Sequence, residues 1–204
     1  LARDLPDPRA PRYASLAAEE VLSLCDITGG GAFVLCTSVR MMRALAQECR
    51  ATLVDRGHRV FVQGEAPKAK LLELFRESGD AVLFATSSFW EGIDVPGNAL
   101  RLVIIDKLPF QVPSDPLVQA RCADLEERGG KPFMDLLVPA AALSLKQGFG
   151  RLIRSTKDIG LVAILDSRVV KKGYGRVFLD SLPPASRCHS LDEARAFWDS
   201  VAAQ

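Results

Sequence analysis

Three residues of the stretch QGFGRLIRS, at 147–155, are spaced for one task. On a helix, Gln147, Arg151 and Arg154 stand at i, i+4 and i+7, within a stripe about 60° wide at roughly 100° per residue. Phe149, Leu152 and Ile153 point the other way. One face is apolar, and the other holds two permanent cations side by side. Guanidiniums that close repel, so the pattern asks for an anion between them, and a planar fork of fixed charge is the usual partner of a phosphoryl group. Gly148 and Gly150 each cost about 1 kcal/mol against alanine inside a helix, a cost that fits something approaching the backbone closely. A solvated salt-bridge face is the plainer alternative for such arginines.

Two other stretches place hydroxyls where a strand run ends. CTSVR puts Thr37 and Ser38 at a strand-to-helix turn, where a hydroxyl caps the helix or the free N–H groups of the first turn hold a phosphate. The plain cap is the simpler reading of that segment alone. ATSSFWEGIDVPG, at 85–97, ends a strand with Thr86, Ser87 and Ser88, then crosses Gly92 to Asp94. Hydroxyls there suit phosphate contacts, and a carboxylate just past a glycine suits a ribose hydroxyl. A solvated turn explains Asp94 equally well, and Phe89 and Trp90 read more simply as core than as stacking platforms.

What is missing matters as much. GxxxxGK[ST] does not occur, and no DEAD-like or DEAH-like strand end is visible. The chain offers cations for a phosphate without a phosphate cradle, which is half of a site. Its formal net charge is +1, with 25% charged and 48% apolar residues among 204. There is no overall pull toward nucleic acid, so any anion site is local. Five cysteines, at 25, 36, 49, 122 and 188, form no CxxC pair and are an odd count. They read as reduced thiols of a cytosolic protein, with no metal or iron–sulfur site in this chain. No apolar run approaches the ~18 residues of a membrane helix, and no signal peptide opens the chain.

The elements that must position these residues follow from periodicity. Residues 1–13, carrying Pro6, Pro8 and Pro11, read as an extended lead-in to a single domain over 14–204. The absence of an initiator methionine is the mark expected of a fragment of something longer. SLAAEEVLSLCDIT, Val39 to about Arg56, and KAKLLELFRES have helical spacing. AFVLCT, RVFVQ, AVLFAT, RLVIID and GLVAILD read as strands, RVFLDSLPP closes the sheet-like material, and a helical region from about Pro116 to Arg154 is broken at RGGKP. LDEARAFWDSVAAQ is a last helix, with Ser190 as its N-cap and Glu193 at the capping-box position. Doubly apolar strands alternating with helices predict an α/β fold, a mostly parallel sheet covered by helices on both faces. In such sheets functional groups gather where strands end and helices begin.

SSFWEGIDVPG, VIIDKLPFQVPSDPL and LKQGFGRLIRSTKDIGLVAILDSR together carry a resemblance. The chain resembles the C-terminal motor domain of DinG-type helicases, the bacterial relatives of XPD within helicase superfamily two, over nearly its whole length. The resemblance implies a RecA-like domain and, for the parent protein, an ATP-dependent DNA helicase moving 5′ to 3′ on single-stranded DNA, in DNA repair or replication. CTSVR is similar to motif IV, which makes Thr37 and Ser38 contacts to the strand's phosphates. TSSFWEGID is similar to motif V, which turns Thr86 and Ser87 to nucleic acid and Glu91, Gly92 and Asp94 toward the nucleotide. QGFGRLIR is similar to motif VI, in which Gln147, Gly150, Arg151 and Arg154 face ATP, with Arg154 the finger and Arg151 a second γ-phosphate contact.

The partner implied is an N-terminal helicase domain of the same polypeptide. It would hold most of the ATP and Mg²⁺, and any iron–sulfur cluster of the parent. The resemblance also implies the bacterial cytoplasm, and a fragment inactive on its own. A non-catalytic single-strand-binding module and an RNA helicase are the alternative readings.

Overall fold

The strand runs carry apolar residues at both odd and even positions, and the fold buries both sets. The computed structural model describes residues 4–86, Phe89, Val95, 99–150 and 159–202. Among these, five parallel strands make one sheet: β1 Ala32–Cys36, β2 Val60–Val62, β3 Val82–Thr86, β4 Leu102–Ile105 and β5 Leu161–Ile164, in the order β2-β3-β1-β4-β5. The helices are α1 Tyr13–Thr28, α2 Val39–Asp55, α3 Lys68–Ser78, α4 Pro116–Glu127, α5 Val138–Phe149, α6 Arg168–Lys171, α7 Gly175–Ser181 and α8 Leu191–Ala202. A π-helical turn, Phe133–Leu137, leads into α5.

Successive strand side chains face opposite sides of a sheet. Phe33, Leu35, Leu83, Val103 and Ile105 therefore join one core with α3, α5 and α7. Phe84, Val34 and Ile104 join the other with α1, α2 and α8. The expected parallel sheet with helices on both faces is what forms. At its amino-terminal edge, Arg101 caps two helices at once, donating to Thr28 O (3.0 Å), Gly29 O (2.8 Å) and Gly79 O (2.8 Å). These are carbonyls that helix ends leave unpaired. Gly30 beside it has φ 78°, and a Cβ there would stand 2.1 Å from Asp80 O, so only glycine fits.

The sequence reading needs two corrections. RVFLDSLPP does not close the sheet: its first six residues, Arg176–Ser181, lie in α7. A short apolar run cannot be told from a strand by pattern alone, and what decides is an aromatic cluster. Tyr174 and Phe178 fall one helical turn apart and pack edge-on against Phe110, at 5.9 and 5.6 Å between centroids. Nor is the lead-in extended. Asp7–Ala10 and Ala10–Tyr13 are successive turns, each with proline (Pro8, Pro11) at the position whose φ it presets, and Leu5 is buried. The last helix starts as its pattern predicts: Ser190 Oγ accepts the Glu193 N–H (3.1 Å), while the Glu193 carboxylate reaches back to the His189 N–H (2.7 Å).

Candidate nucleic-acid interface

Parallel register gathers the strand ends. Cys36 pairs with Thr86, and Ile105 pairs with both Leu35 and Ile164. The residues that follow, Thr37, Asp106 and those after β5, thus share the carboxyl edge of the sheet with Thr86, the edge where ligands bind in open α/β folds.

Ser38 leaves β1 in extended conformation and caps α2, its Oγ accepting the Met41 N–H at 3.2 Å. Both Thr37 and Ser38 are exposed. The first turn of α2 contains no carboxylate, so its positive end is left for an anion. Thr37 is held from beneath: its N–H donates to Asp106 Oδ1 at 2.9 Å, and its Oγ1 stands 3.4 Å from Asp106 Oδ2. Thr86 is placed differently. It is buried, and both its N–H (2.7 Å) and its hydroxyl (2.9 Å) donate to Gln63 Oε1. Phe89 is core, with the Lys68 ammonium 5.1 Å from its ring centroid.

The sequence reading missed two aspartates at strand ends, although RLVIID and AILD display them. Asp106 follows β4 and Asp166 follows β5, both at 0% exposure. Burial pushes the Asp106 carboxyl up from 3.8 to about 6, against the pull of Lys107 and of hydrogen bonds from Thr37 and the Lys107 N–H. Tyr13 donates its phenol to the Asp106 carbonyl, and burial raises that phenol well above its usual range. Asp166 accepts the Leu108 N–H at 2.9 Å and takes the Arg168 guanidinium in a fork, Nη2 at 2.6 Å and Nε at 2.9 Å. That ion pair raises the Arg168 pKa, and the guanidinium also lies 5.6 Å over the Phe110 ring. Both carboxylates are enclosed and occupied, and neither offers a face to a hydrated Mg²⁺. The signal that finds them is an acidic residue that ends an all-apolar run, at RLVIID and at LVAILD.

Of the residues expected to face the nucleotide, Gln147 and Gly150 are exposed at the carboxyl end of α5, where Gly150 is the C-cap. A Cβ at Gly150 would meet only ordinary contacts, 3.5 Å to Lys146 O, so packing among the described residues does not require a glycine there. Ser87, Glu91, Gly92, Asp94, Arg151 and Arg154 lie outside the described residues. A cavity of about 1030 Å³ opens beside β5, lined by Asp4, Glu20 and Asp180 together with Arg187 and, at the end of α5, Gly150. Burial pushes the Cys25 and Cys49 thiols up to about 12, so they are not thiolate ligands at neutral pH. Among the described residues no helix is long and apolar enough to cross a membrane.

Comparison with known proteins decides the family. The helicase C-terminal domain family matches residues 21–185. The chain belongs to that family. This helicase domain is 48% identical over 195 residues to the ATP-dependent DNA helicase YoaA of Escherichia coli K12, covering 96% of the chain and 30% of that protein. It is 39% identical over 199 residues to the ATP-dependent helicase DinG of Mycobacterium tuberculosis H37Rv, covering 96% of the chain and 29% of that protein. It is 41% identical over 161 residues to the 3′-5′ exonuclease DinG of Bacillus subtilis, covering 78% of the chain and 17% of that protein. The helicase domain thus spans less than a third of these relatives. In fold it resembles an XPD helicase (TM-score 0.68, 19% identity, 85% of the chain and 31% of that structure). It also resembles Xpd4 of S. tokodaii (TM-score 0.65, 16% identity, 88% and 35%).

Proposed function

We propose that this helicase domain is the second motor half of an ATP-dependent DNA helicase of the DinG and XPD-like type. One observation carries the reading: Thr37, Ser38 and Thr86 converge on the carboxyl edge of one parallel sheet, beside a helix end that favours anions. Single-stranded DNA would lie along that edge. The Ser38 oxygen already accepts the Met41 N–H, so its hydroxyl proton is left for a phosphate oxygen. Thr86 donates its hydroxyl proton to Gln63, so its part is to hold the end of β3 in place. Hydroxyls and helix ends meet phosphates without reading bases, which makes the binding independent of sequence. It also needs no basic surface, in keeping with the net charge of +1.

ATP, with its Mg²⁺, supplies the free energy for stepping when held by a preceding motor half. This domain turns Gln147, Gly150, Arg151 and Arg154 to the γ-phosphate, with Arg154 the finger, and Glu91, Gly92 and Asp94 toward the nucleotide. Arginines so placed stabilise the charge that develops on a transferring phosphoryl group. Opening and closing against the first half moves the hydroxyl track along the strand 5′ to 3′.

The test is Arg154→Ala in the protein carrying both halves. DNA-stimulated ATP hydrolysis is expected to fall about 10³-fold or more, and a loss within about threefold assigns the finger elsewhere. The 204-residue chain alone is expected to hydrolyse no ATP, and robust turnover would overturn the half-site reading.

A further inference from the structure

We propose that Asp106 is a positioning residue that sets which way the Thr37 hydroxyl donates, so that a DNA phosphate binding at the β1–α2 turn is coupled to uptake of a proton. This rests on the reading above that Thr37 and Ser38 meet the DNA backbone.

Thr37 has one hydroxyl proton, and a phosphate oxygen can only accept. As a carboxylate, Asp106 also only accepts, and its Oδ2 stands 3.4 Å from Thr37 Oγ1. The proton is then drawn inward, and Thr37 shows the strand lone pairs it cannot use. As an acid, Asp106 donates from Oδ2 to Thr37 Oγ1, and the Thr37 proton swings outward. Oδ1 accepts the Thr37 N–H in either state, at 2.9 Å, so the backbone of the turn stays in place. The proton moves between solvent and Asp106, and no bond is made or broken elsewhere.

The charge itself acts with the same sign. A buried anion beneath the turn repels a phosphate above it, weakly screened by water or salt. Groups from the surrounding elements set the balance. The Lys107 ammonium, 5.4 Å from the Tyr13 ring centroid, favours the anion. Tyr13 from α1, which also feels the charges of Asp166 and Arg168, and the Cys36 thiol of β1 lie near the carboxylate. The first turn of α2 adds no carboxylate. Burial keeps Asp106 titrating near neutrality, at about 6.

The experiment measures oligo(dT) affinity at about pH 6 and about pH 8, at fixed ionic strength because phosphate contacts depend on salt. Neither the phosphates nor the bases of this probe titrate in that range. In the protein carrying both halves, the wild type is expected to lose about three- to tenfold in affinity between the two. Asp106→Asn, whose amide donates to Thr37 as the acid does, should bind equally at both, at least as tightly as the wild type at the lower pH. Thr37→Val keeps the N–H and loses the hydroxyl, and should bind more weakly with a smaller slope than the wild type, the part that the Asp106 charge alone supplies.

If Thr37→Val weakens binding while Asp106→Asn keeps the wild-type slope, the role of Asp106 is overturned with the track intact. If Thr37→Val changes nothing at either pH, the track reading falls and this proposal with it. Calorimetry of the wild type in two buffers of different ionisation heat needs no substitution at Asp106. Proton uptake on binding is expected there, and none would also overturn the proposal.

Discussion

Asp106 and Thr37, 69 residues apart in sequence, meet at 2.9 Å at the carboxyl edge of the sheet, a fully buried carboxylate holding the backbone of an exposed turn. The contact fixes where a candidate DNA-binding hydroxyl stands. It also places a titrating group directly beneath it.

That group makes folding stability depend on pH. The native Asp106 keeps a proton between about pH 4 and about pH 6 that the unfolded chain has released, since its pKa rises from 3.8 to about 6. Stability therefore falls as pH rises through that window, by up to an amount on the order of 3 kcal/mol. Asp106→Asn removes this loss. Urea unfolding at neutral pH should show the variant more stable than the wild type, with the gap closing toward pH 4. An equal gap at both would mean that Asp106 does not titrate in this range.

Ser38 separates capping from phosphate contact. Ser38→Ala should cost about 1 kcal/mol of stability through the lost cap of α2 and should weaken single-strand binding. Ser38→Asp keeps a good cap and places a negative charge where the phosphate would lie. Thermal melts of Ser38→Asp should stay close to wild type while oligo(dT) binding drops at least as far as in Ser38→Ala. Undiminished binding would leave Ser38 a cap and nothing more.

The Asp166–Arg168 pair should behave as an enclosed ion pair does. Arg168→Ala leaves a carboxylate of 0% exposure without its cation, a loss of about 3 kcal/mol. Replacing both, as Asp166→Asn with Arg168→Met, should recover at least about 1 kcal/mol of that. Denaturant midpoints of the two variants decide it: a double variant no more stable than Arg168→Ala would deny the coupling.

The arginines test the nucleotide side. Arg154→Ala should abolish DNA-stimulated hydrolysis while leaving oligo(dT) affinity within about twofold of wild type, because a finger acts on transition-state charge rather than on the track. Steady-state ATPase and equilibrium binding on one preparation separate the two. Equal losses in both would point to a structural role.

The sequence by itself determined the elements whose signals are local. KAKLLELFRES is α3 residue for residue, and the strand runs AFVLCT and AVLFAT contain β1 and β3 with one residue to spare in each. Ser190 with Glu193, and glycines after α1 and α3, mark their helix ends because capping and positive φ are read from a few neighbouring residues. The stretches SSFWEGIDVPG and LKQGFGRLIRSTKDIGLVAILDSR also carried a resemblance to the family. Tertiary structure decided what depends on partners distant in the chain. α7 is a helix because Phe178 meets Phe110, 68 positions earlier in the sequence. Thr86 is buried against Gln63 although its segment reads like the exposed turn at Thr37. Asp106 and Asp166 became the framework of the edge only once parallel register brought the end of β4 beside β1 and the end of β5 beside β4. A carboxylate's role follows from its burial and from the N–H groups aimed at it, and both are set by the packing of the sheet.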